Sequence, residues 1–234
     1  MMVLAGKSVV VAGGTGEIGR ELVAALRDRG ADPLILGRDA VALEHIRRSG
    51  TRAFPFDLRQ PGTLRSALEN LTGGAGIDGL VLCAGRVAFA EAGKIPQPVA
   101  RELFEVNLLG AVALIESALA TIRTPGFVCA ITGAVVSTRP ARMAHYVAAK
   151  AGLSAYLGVL RREQRRRGLL IVDVQPPHVE TGFARRSLYG SPPALPTGIG
   201  PHEVAERVLD AVADEQPVVQ WPLPATARAG RLAS

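Results

Sequence analysis

Short apolar runs alternate with longer amphipathic segments along this chain, and this alternation constrains the fold more than any other feature. Each run is rich in β-branched residues, as strands are, and each intervening segment has the length and periodicity of a helix. The predicted strands are residues 8–12, 33–36, 51–54, 79–83, 127–131, 169–174 and 218–220. The predicted helices are residues 18–30, 39–49, 61–72, 98–123, 144–167 and 202–213. Regular alternation of strand and helix is typical of a parallel sheet.

The predicted central strands are apolar at every position, as in residues 9–11 and 80–82. Such strands are covered by helices on both faces, because a strand with one wet face shows alternating polar residues. We therefore predict an α/β fold, a single Rossmann-like, doubly wound parallel sheet of about seven strands with helices on both faces. The pattern shows no break over 234 residues, so we expect residues 1–234 to form a single domain.

The composition is that of a globular protein, with 48% hydrophobic and 21% charged residues. The net charge is +6, and the densest cationic cluster, within residues 161–167, ends a predicted helix. Cations at that end complement the helix dipole, and no aromatic residue for base stacking lies among them. We therefore expect no nucleic-acid partner.

The two cysteines, Cys83 and Cys129, lie in or beside apolar strands without C-x-x-C spacing, so neither a disulfide framework nor a metal site is predicted. The longest apolar stretch, residues 108–122, contains Glu116, and no cleavable hydrophobic segment precedes the first strand. We expect no membrane partner and a cytoplasmic location. A composition rich in Ala, Arg, Gly and Pro with three lysines is typical of a GC-rich bacterial genome.

A glycine-rich turn, residues 13–19, follows the first predicted strand directly and leads into the first predicted helix. Glycine permits a tight turn and lets the backbone approach a pyrophosphate, whose charge is stabilised by the free N–H groups of a helix N-terminus. The strand before and the helix after are the context that this motif requires. We predict a dinucleotide site with these cofactor-binding residues: Gly13, Thr15, Gly16, Glu17, Ile18 and Gly19.

The end of the second strand, Leu36-Gly37-Arg38-Asp39, indicates which dinucleotide is bound. An acidic residue at the strand end would bind the adenosine ribose of NAD(H), whereas Arg38 is suited to a 2′-phosphate, so NADP(H) is favoured over NAD(H). Asp39 is predicted to cap the next helix. Asp57, after the third strand, is either an acceptor for the adenine amino group or a simple turn carboxylate.

Tyr146 and Lys150 lie one turn apart on the same face of a predicted helix. A nearby cation favours the phenolate and lowers the pKa of the tyrosine, which can then exchange a proton with an alcohol. Together with the glycine-rich turn, this spacing resembles the short-chain dehydrogenase/reductase family from about residue 6 to residue 220. Asn107 lies where that family has an asparagine that organises a proton-relay water.

The resemblance implies roles for individual residues. Tyr146 would be the catalytic acid/base, Lys150 would bind the nicotinamide ribose hydroxyls, and Asn107 would complete the catalytic set. Further cofactor contacts are implied for Ala84, Gly85 and Thr181, the last at the carboxamide. The resemblance also implies a homodimer or homotetramer packed through the helices of residues 98–123 and 144–167.

The chain departs from the family pattern at four places, one of which is Glu17, where a third turn glycine often lies. The family's serine that polarises the substrate carbonyl lies thirteen residues before the tyrosine, and that position is Gly133. Thr132, Ser137 or the backbone N–H of Gly133 could replace the hydroxyl, although Thr132 is expected to point to the opposite face of its strand. The family's Asn-Asn-Ala-Gly reads Leu82-Cys83-Ala84-Gly85, and its Pro-Gly reads Pro176-Pro177.

Two functions fit these residues. The first is an NADPH-dependent carbonyl reductase, or the reverse alcohol dehydrogenase, in which Tyr146 supplies the proton to a small-molecule carbonyl. The second is a protein on the same scaffold without net hydride transfer, motivated by Gly133 and Pro177: a lyase, isomerase or cyclase of a biosynthetic pathway, or a cofactor-binding module. The loop after Thr181 either forms a lid with an aromatic and cationic lining or carries ordinary surface arginines, and it contains Phe183, Arg185, Arg186, Leu188 and Tyr189.

Overall fold

Seven strands form a single sheet in the computed structural model, which describes residues 1–222. They are β1 (Ser8–Ala12), β2 (Asp32–Gly37), β3 (Ala53–Pro55), β4 (Ile77–Leu82), β5 (Ile122–Ile131), β6 (Leu169–Gln175) and β7 (Val218–Gln220). All neighbours pair in parallel, in the order β3-β2-β1-β4-β5-β6-β7. The chain therefore runs outward from β1 to β3, returns to β4, and runs outward again to β7. This reversal between β1 and β4 opens a crevice at the carboxyl edge of the sheet.

Residues 1–222 form eight α-helices, of which six cover the two faces of the sheet. The eight are α1 (Glu17–Asp28), α2 (Ala40–Arg48), α3 (Leu64–Thr72), α4 (Gln97–Phe104), α5 (Gly110–Leu119), α6 (Val135–Thr138), α7 (Ala144–Gln164) and α8 (Pro201–Ala213). Helices α3, α5 and α7 pack on one face, and α1, α2 and α8 pack on the other, each with its own cluster of buried side chains. The predicted doubly wound α/β fold is confirmed. Within residues 1–222, no helix has the length and apolarity needed to cross a membrane.

The long helix predicted at residues 98–123 is wrong in two respects. A π-helical turn, Glu105–Leu109, separates α4 from α5, and α5 ends at Leu119. Strand β5 then begins at Ile122, earlier than predicted, because Ile122 pairs with Ile77 of β4. Apolar residues suit either a helix or a strand, so only pairing across the sheet decides between them.

Candidate active site

The turn between β1 and α1 is built for close backbone approach. Gly13 has a φ of +97°, and a Cβ at this position would lie 2.7 Å from the backbone N of Ala84. A Cβ on Gly19 would lie 2.2 Å from the carbonyl oxygen of Gly13, so only glycine fits there. The N-cap of α1 is Gly16, which has no side-chain acceptor, so the first-turn N–H groups have no side-chain cap. The turn therefore presents uncapped backbone donors and a helix N-terminus, which suit a pyrophosphate.

The ends of β1 and β4 are joined at the crevice. The backbone N–H groups of Cys83 and Ala84 both donate to the carbonyl oxygen of Ala12, at 2.9 and 3.1 Å. The Cys83 thiol also donates to this oxygen, at 3.2 Å, and burial raises its pKa to about 12. The cysteine thus makes an internal hydrogen bond at a position where the family has an asparagine. Ala84 and Gly85 are thereby placed beside the glycine-rich turn.

Lys150 is buried at the other end of the crevice, with 5% of its surface exposed. Its ammonium donates to the carbonyl oxygen of Ile131 at 2.8 Å, its only hydrogen bond within residues 1–222. Burial lowers the pKa of Lys150 to about 8, although Asp173 and Cys83 act to raise it. An ammonium has three N–H donors, so two remain for hydroxyl groups of a bound molecule.

Asn107 lies inside the π-helical turn, and its side chain is fully engaged. Its Oδ1 accepts the backbone N–H of Arg86 at 3.0 Å, while its Nδ2 donates to the carbonyl oxygens of Arg86 and Leu103, both at 2.9 Å. Both amide hydrogens are used, so a relay water would bind another atom of this residue. A Cβ added to Gly85 would lie 3.0 Å from Asn107 Oδ1 and 3.6 Å from Lys150 Nζ. The fold thus brings the two predicted catalytic residues together around Gly85.

Tyr146 is 9% exposed and belongs to an apolar cluster. Its ring lies 6.5 Å from that of Phe183, at an interplanar angle of 50°. Burial raises the pKa of the Tyr146 phenol, whereas the sequence predicted that Lys150 would lower it. That prediction is wrong: loss of water around the phenolate raises the pKa, and Lys150 is not among the groups that shift it. The phenol is therefore neutral, which is the form that donates a proton.

All three replacements considered for the missing serine are already engaged. Thr132 donates its hydroxyl to Asp173 Oδ1 at 2.5 Å, and Ser137 donates its hydroxyl to the carbonyl oxygen of Ala134 at 3.0 Å. The backbone N–H of Gly133 donates to the carbonyl oxygen of Val174 at 3.2 Å. Gly133 also has a φ of +90°, a conformation that serine rarely adopts. In the structure, none of these three candidate replacements is a free donor.

Three guanidinium groups gather at the ends of β2, β3 and β4. The pKa of Arg86 is lowered by burial and by the charges of Arg38 and Arg59, although Arg86 also pairs with Glu102 at 3.4 Å. Asp57 accepts from the backbone N–H of Arg59 at 2.9 Å and from its guanidinium at 2.6 Å, and Arg59 holds the pKa of this carboxyl below its usual value. The sequence singled out Arg38 but missed Arg59 and Arg86, which only the sheet order brings together. The neighbouring Asp39 caps α2 as predicted, accepting from two backbone N–H groups.

The loop after β6 is tied to the glycine-rich turn. Arg186 pairs with the Glu17 carboxylate at 3.1 Å and donates to the carbonyl oxygen of Thr181 at 2.9 Å. The same loop contributes Phe183 and Leu188 to the apolar cluster around Tyr146. Its lining near Tyr146 is therefore apolar, and Arg186 faces the cofactor turn instead.

Comparison with known proteins agrees with this geometry. Residues 7–189 match the family model described as short chain dehydrogenase. Dehydrogenase/reductase SDR family member 7B of Mus musculus is 29% identical over 224 residues, which cover 87% of this chain and 69% of the relative. L-fucose dehydrogenase of Mus musculus is 31% identical over 184 residues, which cover 75% of this chain and 66% of the relative.

Among solved structures, BdcA in complex with NADPH matches with a TM-score of 0.77 and 25% identity. The match covers 90% of this chain and 88% of that one. The chain therefore belongs to the short-chain dehydrogenase/reductase family, a family of oxidoreductases that bind a nicotinamide cofactor.

Proposed function

We propose that this protein is an NADPH-dependent carbonyl reductase, which in reverse acts as an alcohol dehydrogenase on a small-molecule substrate. One observation carries the proposal: Asn107, Lys150 and Phe183 all approach Gly85, and the Phe183 ring packs beside Tyr146. These residues lie at the carboxyl edge of the sheet, in a crevice that begins at a dinucleotide-type glycine turn. Dinucleotide binding alone does not need a proton donor, so this convergence favours an enzyme over a binding module.

The residues present fit a nicotinamide dinucleotide. A Cβ at Gly13 or Gly19 would clash with backbone atoms, so only glycine allows the turn to pack this closely. The N-terminus of α1, which this turn precedes, suits the pyrophosphate. The two unused N–H donors of Lys150 suit the ribose hydroxyls, and Thr181 would contact the carboxamide. When bound, the reduced cofactor supplies the hydride that the carbonyl carbon accepts.

Proton transfer follows from the burial of Tyr146. Its neutral phenol donates a proton to the carbonyl oxygen as that oxygen gains negative charge. We propose that the Lys150 ammonium, one helical turn away, stabilises the phenolate that remains, which is later reprotonated from solvent. The reverse sequence oxidises an alcohol.

The preference for NADP(H) is supported by the cluster of Arg38, Arg59 and Arg86. Guanidinium groups bind phosphate by paired hydrogen bonds. Arg59 is paired with Asp57 and Arg86 with Glu102, so within residues 1–222 Arg38 is the cation of this cluster that lacks a carboxylate partner. The structural neighbour BdcA is itself bound to NADPH. Asp57 already binds Arg59, so we propose that it orients this cation, with the adenine contact as the alternative.

The second candidate function, chemistry without net hydride transfer, is favoured by one observation. Residues 132–137 offer no free hydroxyl or N–H among the three groups that could replace the family's serine. Loss of one such donor costs a reductase about 10²- to 10³-fold in rate. A lyase, isomerase or cyclase would need a different arrangement of donors at this point.

The family resemblance and two exposed apolar side chains support assembly into a homodimer or homotetramer. Leu109, between α4 and α5, is 59% exposed, and Val159 of α7 is 53% exposed. Both lie on the segments through which the family packs. Light scattering of the purified protein would measure the assembly, and a monomer at micromolar concentration would contradict it.

The assay that tests the function mixes purified protein with NADPH and a panel of ketones and aldehydes. Absorbance of the reduced nicotinamide is followed, and NADPH binding is measured separately by calorimetry. We expect oxidation of NADPH that depends on the carbonyl compound. Tight binding of NADPH without turnover over a broad panel would overturn the reductase and favour the second function.

A further inference from the structure

Asp173 of β6 is a buried carboxylate that the proposed mechanism does not use. It is 4% exposed, although a carboxylate is rarely buried without partners. Its Oδ1 accepts the Thr132 hydroxyl at 2.5 Å, and its Oδ2 accepts the Ser154 hydroxyl at 2.5 Å and the Gln175 amide at 2.8 Å. Three donors on two oxygens are the pattern of an ionised carboxylate.

The donors themselves are fixed by their surroundings. Gln175 receives a hydrogen bond on Oε1 from Gln220 Nε2 at 2.8 Å, so its amide nitrogen must point toward Asp173. Hydrogen bonds reduce the cost of burying a charge, but a buried anion is stable chiefly when a cation lies nearby. Arg161, which also contacts β6, binds the carbonyl oxygens of Ile171 and Pro217 instead.

Lys150 is the cation whose neighbours bind Asp173. The partners of Asp173 are the neighbours of Lys150 in both directions: Ser154 lies one turn further along α7, and Thr132 follows Ile131, whose carbonyl oxygen binds Lys150. Asp173 thus joins the helix that carries the ammonium to the strand that receives it.

Comparison of the groups that influence the pKa of Lys150 identifies Asp173 as its counter-ion. Asp173 is the larger of the two influences that raise the pKa of Lys150 against the effect of burial, and Cys83 is the other. Burial raises the pKa of the Cys83 thiol to about 12 and also raises that of the Tyr146 phenol, so both are neutral at physiological pH. Among the residues that influence Lys150 in the described part of the chain, only Asp173 carries a negative charge.

We propose that Asp173 is a positioning residue, the buried counter-ion that keeps Lys150 protonated at neutral pH and holds its ammonium toward the crevice. Its consequence for the rate rests on the proposed function, but its effect on Lys150 does not. Asp173 touches neither substrate nor cofactor in this proposal, and it acts through Lys150.

The protein offers a direct measurement, because Lys7, Lys94 and Lys150 are its only lysines. Protein labelled with ¹³C at lysine Cε gives three side-chain signals in NMR, and a Lys150→Met variant assigns the third. We expect the Lys150 signal to titrate near pH 8 in the native protein and about one pH unit lower, or more, in Asp173→Asn. An unchanged Lys150 titration in folded Asp173→Asn overturns the proposal.

Ser154→Ala is the matched control, because it removes one hydrogen bond to Asp173 and keeps the charge. A structural role would make the two variants alike, whereas the proposal expects Ser154→Ala to leave the Lys150 titration in place. If reductase activity is found, the alkaline limb of its pH–rate profile should move to lower pH in Asp173→Asn only. Absence of any activity would overturn the proposed function and leave the NMR result standing.

A second experiment covers the case in which Asp173→Asn alone does not fold. The double variant Asp173→Asn/Lys150→Met removes both buried charges, so it should unfold at a higher urea concentration than Lys150→Met, which leaves the anion unpaired. Equal or lower resistance of the double variant to urea would contradict the pairing.

Discussion

The two ends of the crevice differ in how far their polar side chains are exposed to water. At the end where we propose that adenosine binds, the adenosine end, Arg38 is exposed and Arg59 keeps 45% of its side chain in contact with water. At the end proposed for the nicotinamide, Tyr146, Lys150 and Asn107 are exposed by 9%, 5% and 1%. Charges that are exposed to water interact weakly, because the solvent screens them. A buried polar group that loses its partner costs free energy, because no water takes the partner's place. The first end is therefore suited to selecting the cofactor, and the second to positioning a proton.

This contrast predicts which substitutions should have the largest effects on activity. A change at the buried end leaves polar groups without partners and without access to water, so its effect should be large and confined to turnover. A change at the exposed end is compensated in part by solvent, so its effect should be modest and confined to the choice of cofactor. The following predictions test that order.

The largest effect is expected for Tyr146→Phe. This change removes the proton donor and keeps the ring that packs against Phe183. We expect kcat for carbonyl reduction to fall by about 10²- to 10⁴-fold, with NADPH affinity nearly unchanged. Steady-state kinetics and calorimetry measure the two quantities, and undiminished reduction would remove Tyr146 from the mechanism.

The glycine turn between the two ends should be sensitive at one position and tolerant at another. Gly19→Ala would place a Cβ 2.2 Å from the Gly13 carbonyl oxygen, whereas Gly16→Ala would place one 3.3 Å from the same atom. We expect Gly19→Ala to weaken NADPH binding by about tenfold or more. Displacing the backbone of the turn needs to cost only about 1.4 kcal/mol for a tenfold loss of affinity. Calorimetry should show a much smaller loss for the matched Gly16→Ala, and equal losses would show that backbone approach is not what the turn provides.

A smaller and more selective effect is expected at the adenosine end. Arg38→Ala removes a cation from the arginine cluster and should weaken NADPH binding by about tenfold while leaving NADH binding unchanged. Arg52→Ala is the control, because Arg52 pairs with Asp32 at the opposite edge of the sheet. Dissociation constants for both cofactors test this, and an unchanged preference in Arg38→Ala would contradict the assignment of NADP(H).

The smallest difference is expected between Gly133→Ser and Gly133→Ala. Both should lower stability by about 1 to 2 kcal/mol, because an L residue is disfavoured at a φ of +90°. An added Cβ would have Val135 at 3.6 Å and the carbonyl oxygen of Pro176 at 3.9 Å as its nearest neighbours, so no polar side chain lies beside it to orient the new hydroxyl. The two variants should therefore reduce carbonyls at the same rate. A faster Gly133→Ser enzyme would show that this position faces the substrate after all.

Local patterns were sufficient for much of the fold. Runs of β-branched residues and 3.6-residue periodicity predicted the strands and the helices that cover them, because both signals depend on side chains a few residues apart. The failure at residues 98–123 has the same cause, since an apolar segment without a clear stop signal reads as one helix. Neither the π turn around Asn107 nor the pairing of Ile122 with Ile77 depends on neighbouring residues alone.

The residues of the candidate site also fall into those that local patterns reveal and those that only the folded structure brings together. Tyr146, Lys150 and the glycine turn were recognisable because their spacing is local or resembles a known pattern. Arg59, Arg86 and Asp173 were missed because each is an ordinary charged residue until the sheet order places it beside its partners. The direction of the Tyr146 pKa was predicted wrongly for a related reason, because a sequence shows which charges are near but not how much water is excluded.

Hydrophobic periodicity and glycine conformation are properties of short segments, so the sequence was sufficient to predict a doubly wound sheet with a glycine turn at its first crossover. Which groups are free to react depends on the assembled sheet. Within residues 1–222, Thr132, Ser137 and the N–H of Gly133 make internal hydrogen bonds, whereas two donors of Lys150 have no hydrogen-bond partner. Hydrogen bonds and burial depend on residues far apart in the chain, and they therefore appear only when the sheet is assembled.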